Sequence, residues 1–149
     1  MLASGGTLAA RPRQTQPKSG VKPVNERSKE RVYDAGEIAE RLKTELPHWH
    51  FEDGWIKRKY RTSSWKGTLM VINTVGHLAE AAWHHPDITA SYAWVEVRLS
   101  NHAAKGVTDK DFELAAMIEK VVQWQPGLDG KALQGTPQGD QRFSYVKYD

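Results

Sequence analysis

Residues 80–111 read EAAWHHPDITASYAWVEVRLSNHAAKGVTDKD, and they decide the fold because one stretch carries a helix end, a strand and a helix start. It also holds three of the six histidines. The proline at position 86 disfavours the α region for His85, so the apolar helical pattern arriving through Trp83 stops at the histidine pair. The carbonyl end of a helix favours a protonated imidazole by about 0.3–1 kcal/mol, which prepares a histidine there to give a proton. Downstream, Val95, Val97 and Leu99 alternate with Trp94, Glu96, Arg98 and Ser100, the pattern of a half-buried antiparallel strand. His102 lies just past that strand. Gly106, Thr108 and Asp111 then predict a turn and a capping box, opening a helix with apolar positions Phe112, Ala115, Ala116, Ile118, Val121 and Val122. Capping alone accounts for Asp111.

Upstream, Leu69, Ile72, Val75, Leu78, Ala79 and Ala82 recur at three- and four-residue steps, which predicts a helix delivering the histidine pair. His77 sits seven residues before His84 on nearly the same helix face. Residues 49–51 and 55–62 flank Glu52-Asp53-Gly54, and an Asp-Gly pair between such runs predicts a hairpin. Asp34 and Glu37 form a second capping box, followed by an apolar stripe of Ile38, Ala39, Leu42 and Leu46 that ends at Pro47. His48 and His50 project to one strand face, but no third ligand at a recognisable spacing joins them, so no metal site is expected.

Helix, hairpin, helix, strand and helix make an α+β domain with helices on one face of an antiparallel sheet. It is expected over residues 33–124. Residues 87–91 read as a loop or a short strand start, and the C-terminal extension, residues 125–149, which ends RFSYVKYD, as a short final strand or docked tail. Residues 1–32 are rich in Gly, Ser, Pro, Gln and basic side chains without apolar periodicity, and are expected to form a disordered basic arm.

Charge and composition bound the function. The chain carries a net charge of +3, but residues 1–33 alone hold seven Lys/Arg against two Glu. The remainder is slightly acidic, so the domain carries no footprint for specific nucleic-acid binding. There is no cysteine, which excludes disulfides, thiolate zinc sites and a cysteine nucleophile. No apolar run reaches the roughly 18 residues of a membrane span, and the N-terminus lacks a secretory signal's apolar core. A cytoplasmic protein is expected.

Taken together, Glu80, His84-His85-Pro86, Tyr92, His102 and Asp111 at these spacings resemble the signature of the pterin-4a-carbinolamine dehydratase family, with looser similarity over residues 34–122. The resemblance implies a four-stranded sheet, assembly into homodimers or homotetramers, and dehydration of 4a-hydroxytetrahydrobiopterin to the quinonoid dihydropterin with no metal or other cofactor. It implies further that His84, His85 and His102 surround the pterin ring as acid–base residues, with Glu80, Pro86, Tyr92 and Asp111 contributing to substrate binding. Imidazoles suit proton removal at N5 and proton delivery to the 4a-hydroxyl because their ordinary pKa lies near neutrality.

Trp83 before the histidine pair, Ile88 after the triplet and Ala93 after Tyr92 depart from the pattern of active relatives. With the basic arm and the C-terminal extension, these departures resemble the dehydratase-like Rubisco assembly factors of α-carboxysomes. One reading is therefore a carboxysome-associated chaperone that binds Rubisco and has weak or lost turnover. The alternative is an active dehydratase in tetrahydrobiopterin recycling.

Overall fold

The computed structural model describes residues 30–137, 139–140 and 142–149. In chain order the elements are α1 (Ala35–Glu45), β1 (His50–Glu52), β2 (Trp55–Arg61), α2 (Trp65–Ala82), β3 (Asp87–Ser91), β4 (Trp94–Leu99) and α3 (Asp109–Val122), then a 3-10 turn, Pro126–Leu128. The strands form one antiparallel sheet in the order β1-β2-β4-β3. This is the α+β architecture expected, and the weakly marked fourth strand is β3. As an edge strand whose last three residues are exposed, β3 lacks the alternation that makes β4 legible.

Local chemistry fixes where the helices begin. The Glu37 N–H donates to Asp34 Oδ1 at 2.9 Å, and the Asp34 N–H donates to Glu37 Oε2 at 3.1 Å, the reciprocal pair that satisfies two orphan donors of α1. Ser64 caps α2 by accepting from the Gly67 N–H at 3.3 Å. The register pairs Ile56 with Leu99, Arg58 with Val97 and Tyr60 with Val95, placing these side chains on the helix-covered face. There Ile38 and Leu42 of α1, Val71, Val75 and Ala79 of α2, and Phe112, Ala115 and Ile118 of α3 complete the core. Burying each large aliphatic side chain contributes roughly 1.5–3 kcal/mol.

Arg58 lies in this apolar phase, and Glu119 explains how it is tolerated. One carboxylate oxygen of Glu119 accepts from Tyr60 Oη at 2.7 Å, Trp49 Nε1 at 3.0 Å and Arg58 Nε at 3.3 Å. Arg58 also pairs with Asp149. Burial, followed by the neighbouring Glu119 carboxylate, pushes the Tyr60 phenol well above its ordinary range, so Tyr60 stays a neutral donor.

Both ends of the described chain return to the body. Val146 is buried and bridges to Thr62, the Lys147 N–H donates to the Arg61 carbonyl at 2.9 Å, and the Ser63 N–H donates to the Tyr145 carbonyl at 3.1 Å. A Cβ at Gly67 would lie 2.5 Å from the Tyr145 carbonyl oxygen. Overpacking costs about 1–3 kcal/mol and alanine gains about 1 kcal/mol in helix propensity. Gly67→Ala is therefore expected to lower stability by up to about 2 kcal/mol in urea unfolding, and a raised midpoint would mean that Tyr145 does not press on α2 in solution.

At the other end, Glu30 contacts Asn101 and Lys110, Arg31 pairs with Glu37, and Val32 packs where a Gly106 side chain would be. These residues belong to the segment read as a basic arm. Residues 1–29 lie outside the described residues, and so does the expectation of disorder for them.

Candidate active site

α2 ends at Ala82, and Trp83 takes the left-handed conformation with φ 52°. The Trp83 N–H returns to the Glu80 carbonyl at 3.2 Å and the His84 N–H to the Ala79 carbonyl at 3.1 Å, which satisfies C-terminal carbonyls of the helix. This reversal separates the two histidines. The His84 side chain is largely covered and directed at α3, whereas His85 is exposed.

His84 Nε2 lies 2.7 Å from Asp111 Oδ1, and Asp111 is fully buried. The other Asp111 oxygen accepts from the Thr108 N–H at 2.8 Å and the Thr108 hydroxyl at 3.3 Å. One carboxylate thus caps α3 and holds His84. His85 Nε2 lies 3.0 Å from Glu80 Oε2, on the last turn of α2. An ionised carboxylate can only accept, so in each neutral imidazole Nε2 carries the proton and Nδ1 is left as the accepting nitrogen.

Trp83 supplies neither acceptor. Its exposed ring meets the His85 ring edge-on at 5.5 Å. A left-handed conformation costs a non-glycine residue roughly 1–2 kcal/mol, so Trp83→Gly is expected to leave the melting temperature unchanged or higher. Because Glu80 and Asp111 keep both imidazoles, NMR of the variant is expected to show both ring environments little changed, and a large change at His85 would show that the indole itself orients that ring.

His102 occupies the turn after β4, which reciprocal bonds between Asn101 and Gly106 close at 2.9 and 3.2 Å. Its ring packs edge-on against Trp55 at 5.3 Å. Among the described residues no hydrogen bond or ring contact joins His102 to His84 or His85. The connection runs instead through Pro86 to Asp87, whose carboxylate accepts from Arg98 at 2.8 and 3.2 Å, and through the Arg98 guanidinium, 4.7 Å above the Trp55 ring. Sequence reasoning missed Asp87, Arg98 and Trp55 as parts of this region. Their signal was the opposite charges at 87 and 98, legible only once β3 is known to pair with β4.

The other candidates lie elsewhere. Tyr92 is exposed in the turn between β3 and β4, at the opposite end of β3 from Pro86, and its carbonyl accepts from the Thr68 hydroxyl at 3.0 Å. His77 is exposed on α2. Among the described residues no group of three or more His, Asp or Glu side chains is placed to hold a metal ion, and no helix is long and apolar enough to cross a membrane. An open cleft of about 650 Å³ lies beside His84, with Leu78, Ala82, Leu114 and Met117 as apolar walls and His84, Lys110 and Glu113 as polar lining; His85 and His102 do not line it. Its size falls within the range of small-molecule sites.

Comparison with known proteins places this arrangement. Residues 31–121 match the family model described as pterin 4 alpha carbinolamine dehydratase, and the chain belongs to that family. A protein of Aquifex aeolicus named for the family is 40% identical over 87 residues, which is 56% of this chain and 88% of the relative. One from Chloroflexus aurantiacus is 42% identical over 86 residues, covering 58% and 91%. The crystal structure of a transcriptional coactivator/pterin dehydratase from Brucella melitensis shares the fold, with a TM-score of 0.57 and 24% identity over 62% of this chain and 99% of that one. A pterin dehydratase-like protein identified as a RuBisCO assembly factor in the alpha-carboxysome aligns at a TM-score of 0.41 and 17% identity, over 50% and 86% of the two chains. That likeness is too slight to carry an argument.

Proposed function

We propose that this protein dehydrates a 4a-hydroxytetrahydropterin, with His84 and His85 as the acid–base pair and His102 as a further residue of the site. The observation that carries the reading is the carboxylate behind each imidazole of the pair, Asp111 behind His84 and Glu80 behind His85. In family context this is the apparatus for moving two protons. His84, fixed by the buried Asp111, accepts the N5 proton at Nδ1. As the C4a–N5 double bond forms, the C4a–O bond breaks and the departing hydroxyl takes the Nδ1 proton of a His85 imidazolium, whose Nε2–H stays on Glu80, and leaves as water. The exposed setting of His85 allows its proton to be replaced from solvent.

The second reading is a Rubisco assembly factor associated with the α-carboxysome, with weak or lost turnover. What favours it is Trp83, 77% exposed, a large aromatic side chain of the kind enriched at the centres of protein interfaces. The two readings part on paired experiments with the full chain. Formation of quinonoid dihydropterin well above the spontaneous rate supports the enzyme. No acceleration, together with a Rubisco yield that depends on coexpression and falls in Trp83→Gly, supports the assembly factor.

A further inference from the structure

Glu30 stands just outside the family match, which begins at residue 31, yet it touches the framework of the site. Its carboxylate accepts from the Asn101 side-chain amide and pairs with Lys110. The Asn101 amide also reaches Thr108 Oγ1 at 3.4 Å, and Thr108 holds the Asp111 carboxylate that holds His84. Asn101 additionally anchors the turn bearing His102, because its Oδ1 accepts from the Ala104 N–H at 3.1 Å. The segment carrying Glu30 is seated there: the Tyr33 N–H donates to the Val107 carbonyl at 3.0 Å, and Val32 fills the space over Gly106. One strap therefore clamps the loop between β4 and α3, from which both histidine positions are supported.

We infer that residues 30–33 form a positioning strap for the reaction, with Glu30 acting through Asn101 on the Thr108–Asp111–His84 chain and on the His102 turn. Glu30 touches no reacting atom in this scheme. It limits the motion of groups that do, which should register in the chemical step more than in binding. This inference rests on the assignment of His84 and His102 to dehydration.

The test uses full-length Glu30→Ala and Glu30→Gln. Loss of one supporting hydrogen bond corresponds to about 5- to 10-fold. Glu30→Ala is therefore expected to lower kcat by about that factor with KM within about twofold, while Glu30→Gln, which keeps a carbonyl acceptor for Asn101, stays within about twofold of wild type. NMR of the Nε2-bound proton of His84 supplies a readout independent of turnover, with solvent exchange in Glu30→Ala expected to be about 5- to 10-fold faster. Unchanged exchange in Glu30→Ala, or a Glu30→Gln variant as impaired as Glu30→Ala, would overturn the strap. If the wild type proves inert, the functional assignment fails, and the exchange measurement alone decides whether the strap restrains His84.

Discussion

Replacing His84 is expected to lower the dehydration rate by about 10²- to 10⁴-fold, the usual contribution of a positioned acid–base group. Two variants separate chemistry from folding. His84→Ala strips the buried Asp111 of its imidazole partner and is expected to cost about 1–3 kcal/mol of stability. His84→Gln retains a side-chain N–H that can donate to Asp111 but has no titrating nitrogen, so it should stay near wild-type stability while losing turnover. Read as an exposed helix-end residue, His84 would be replaceable by alanine at little structural cost. Its side chain is only 14% exposed, which reverses that expectation. A His84→Gln protein that turns over within tenfold of wild type would remove His84 from the chemistry.

The largest effect on stability is expected at Glu119, far from the histidines in sequence. Glu119→Ala removes the common acceptor of Trp49, Arg58 and Tyr60 and leaves the 8%-exposed side chain of Arg58 with Asp149 as its remaining carboxylate partner. Stripping a partner from a buried charge typically costs about 3–5 kcal/mol. Because Asp149 remains, a loss of about 2–4 kcal/mol in chemical unfolding is expected. Glu119→Gln, which keeps an accepting oxygen without the charge, should recover part of it. A loss below about 1 kcal/mol for Glu119→Ala would mean that Asp149 alone neutralises Arg58.

The contrast between these two positions shows what the sequence makes legible. The Val95, Val97 and Leu99 alternation, the apolar stripe of α2 and the two capping boxes are local patterns, and each predicts its element correctly. β3 was ambiguous because an edge strand covered on one flank has little need of hydrophobic alternation. Likewise, Asp111 reads from sequence as a cap, and only the packing of α3 against the end of α2 shows that its second oxygen meets His84. Trp83 departs from the pattern of active relatives, yet position 83 is not where the imidazoles find their acceptors. The acceptors stand at 80 and 111, contacts that depend on the left-handed turn at Trp83 and on tertiary packing. Glu119 is not legible in the sequence, since a lone carboxylate on an amphipathic helix reads as a solvated face until Arg58 is seen to point inward.

The central claim is that His84 and Asp111 act as one proton-transfer device for dehydration. It is tested most directly by comparing single-turnover rates of 4a-hydroxytetrahydropterin dehydration for wild type, His84→Gln, Asp111→Asn and the double variant. Groups acting as a unit are strongly non-additive. The account predicts vigorous wild-type turnover, a large loss in each single variant, and a double variant no slower than His84→Gln alone. Losses that multiply in the double variant, or a folded wild type no faster than the uncatalysed reaction, would contradict it.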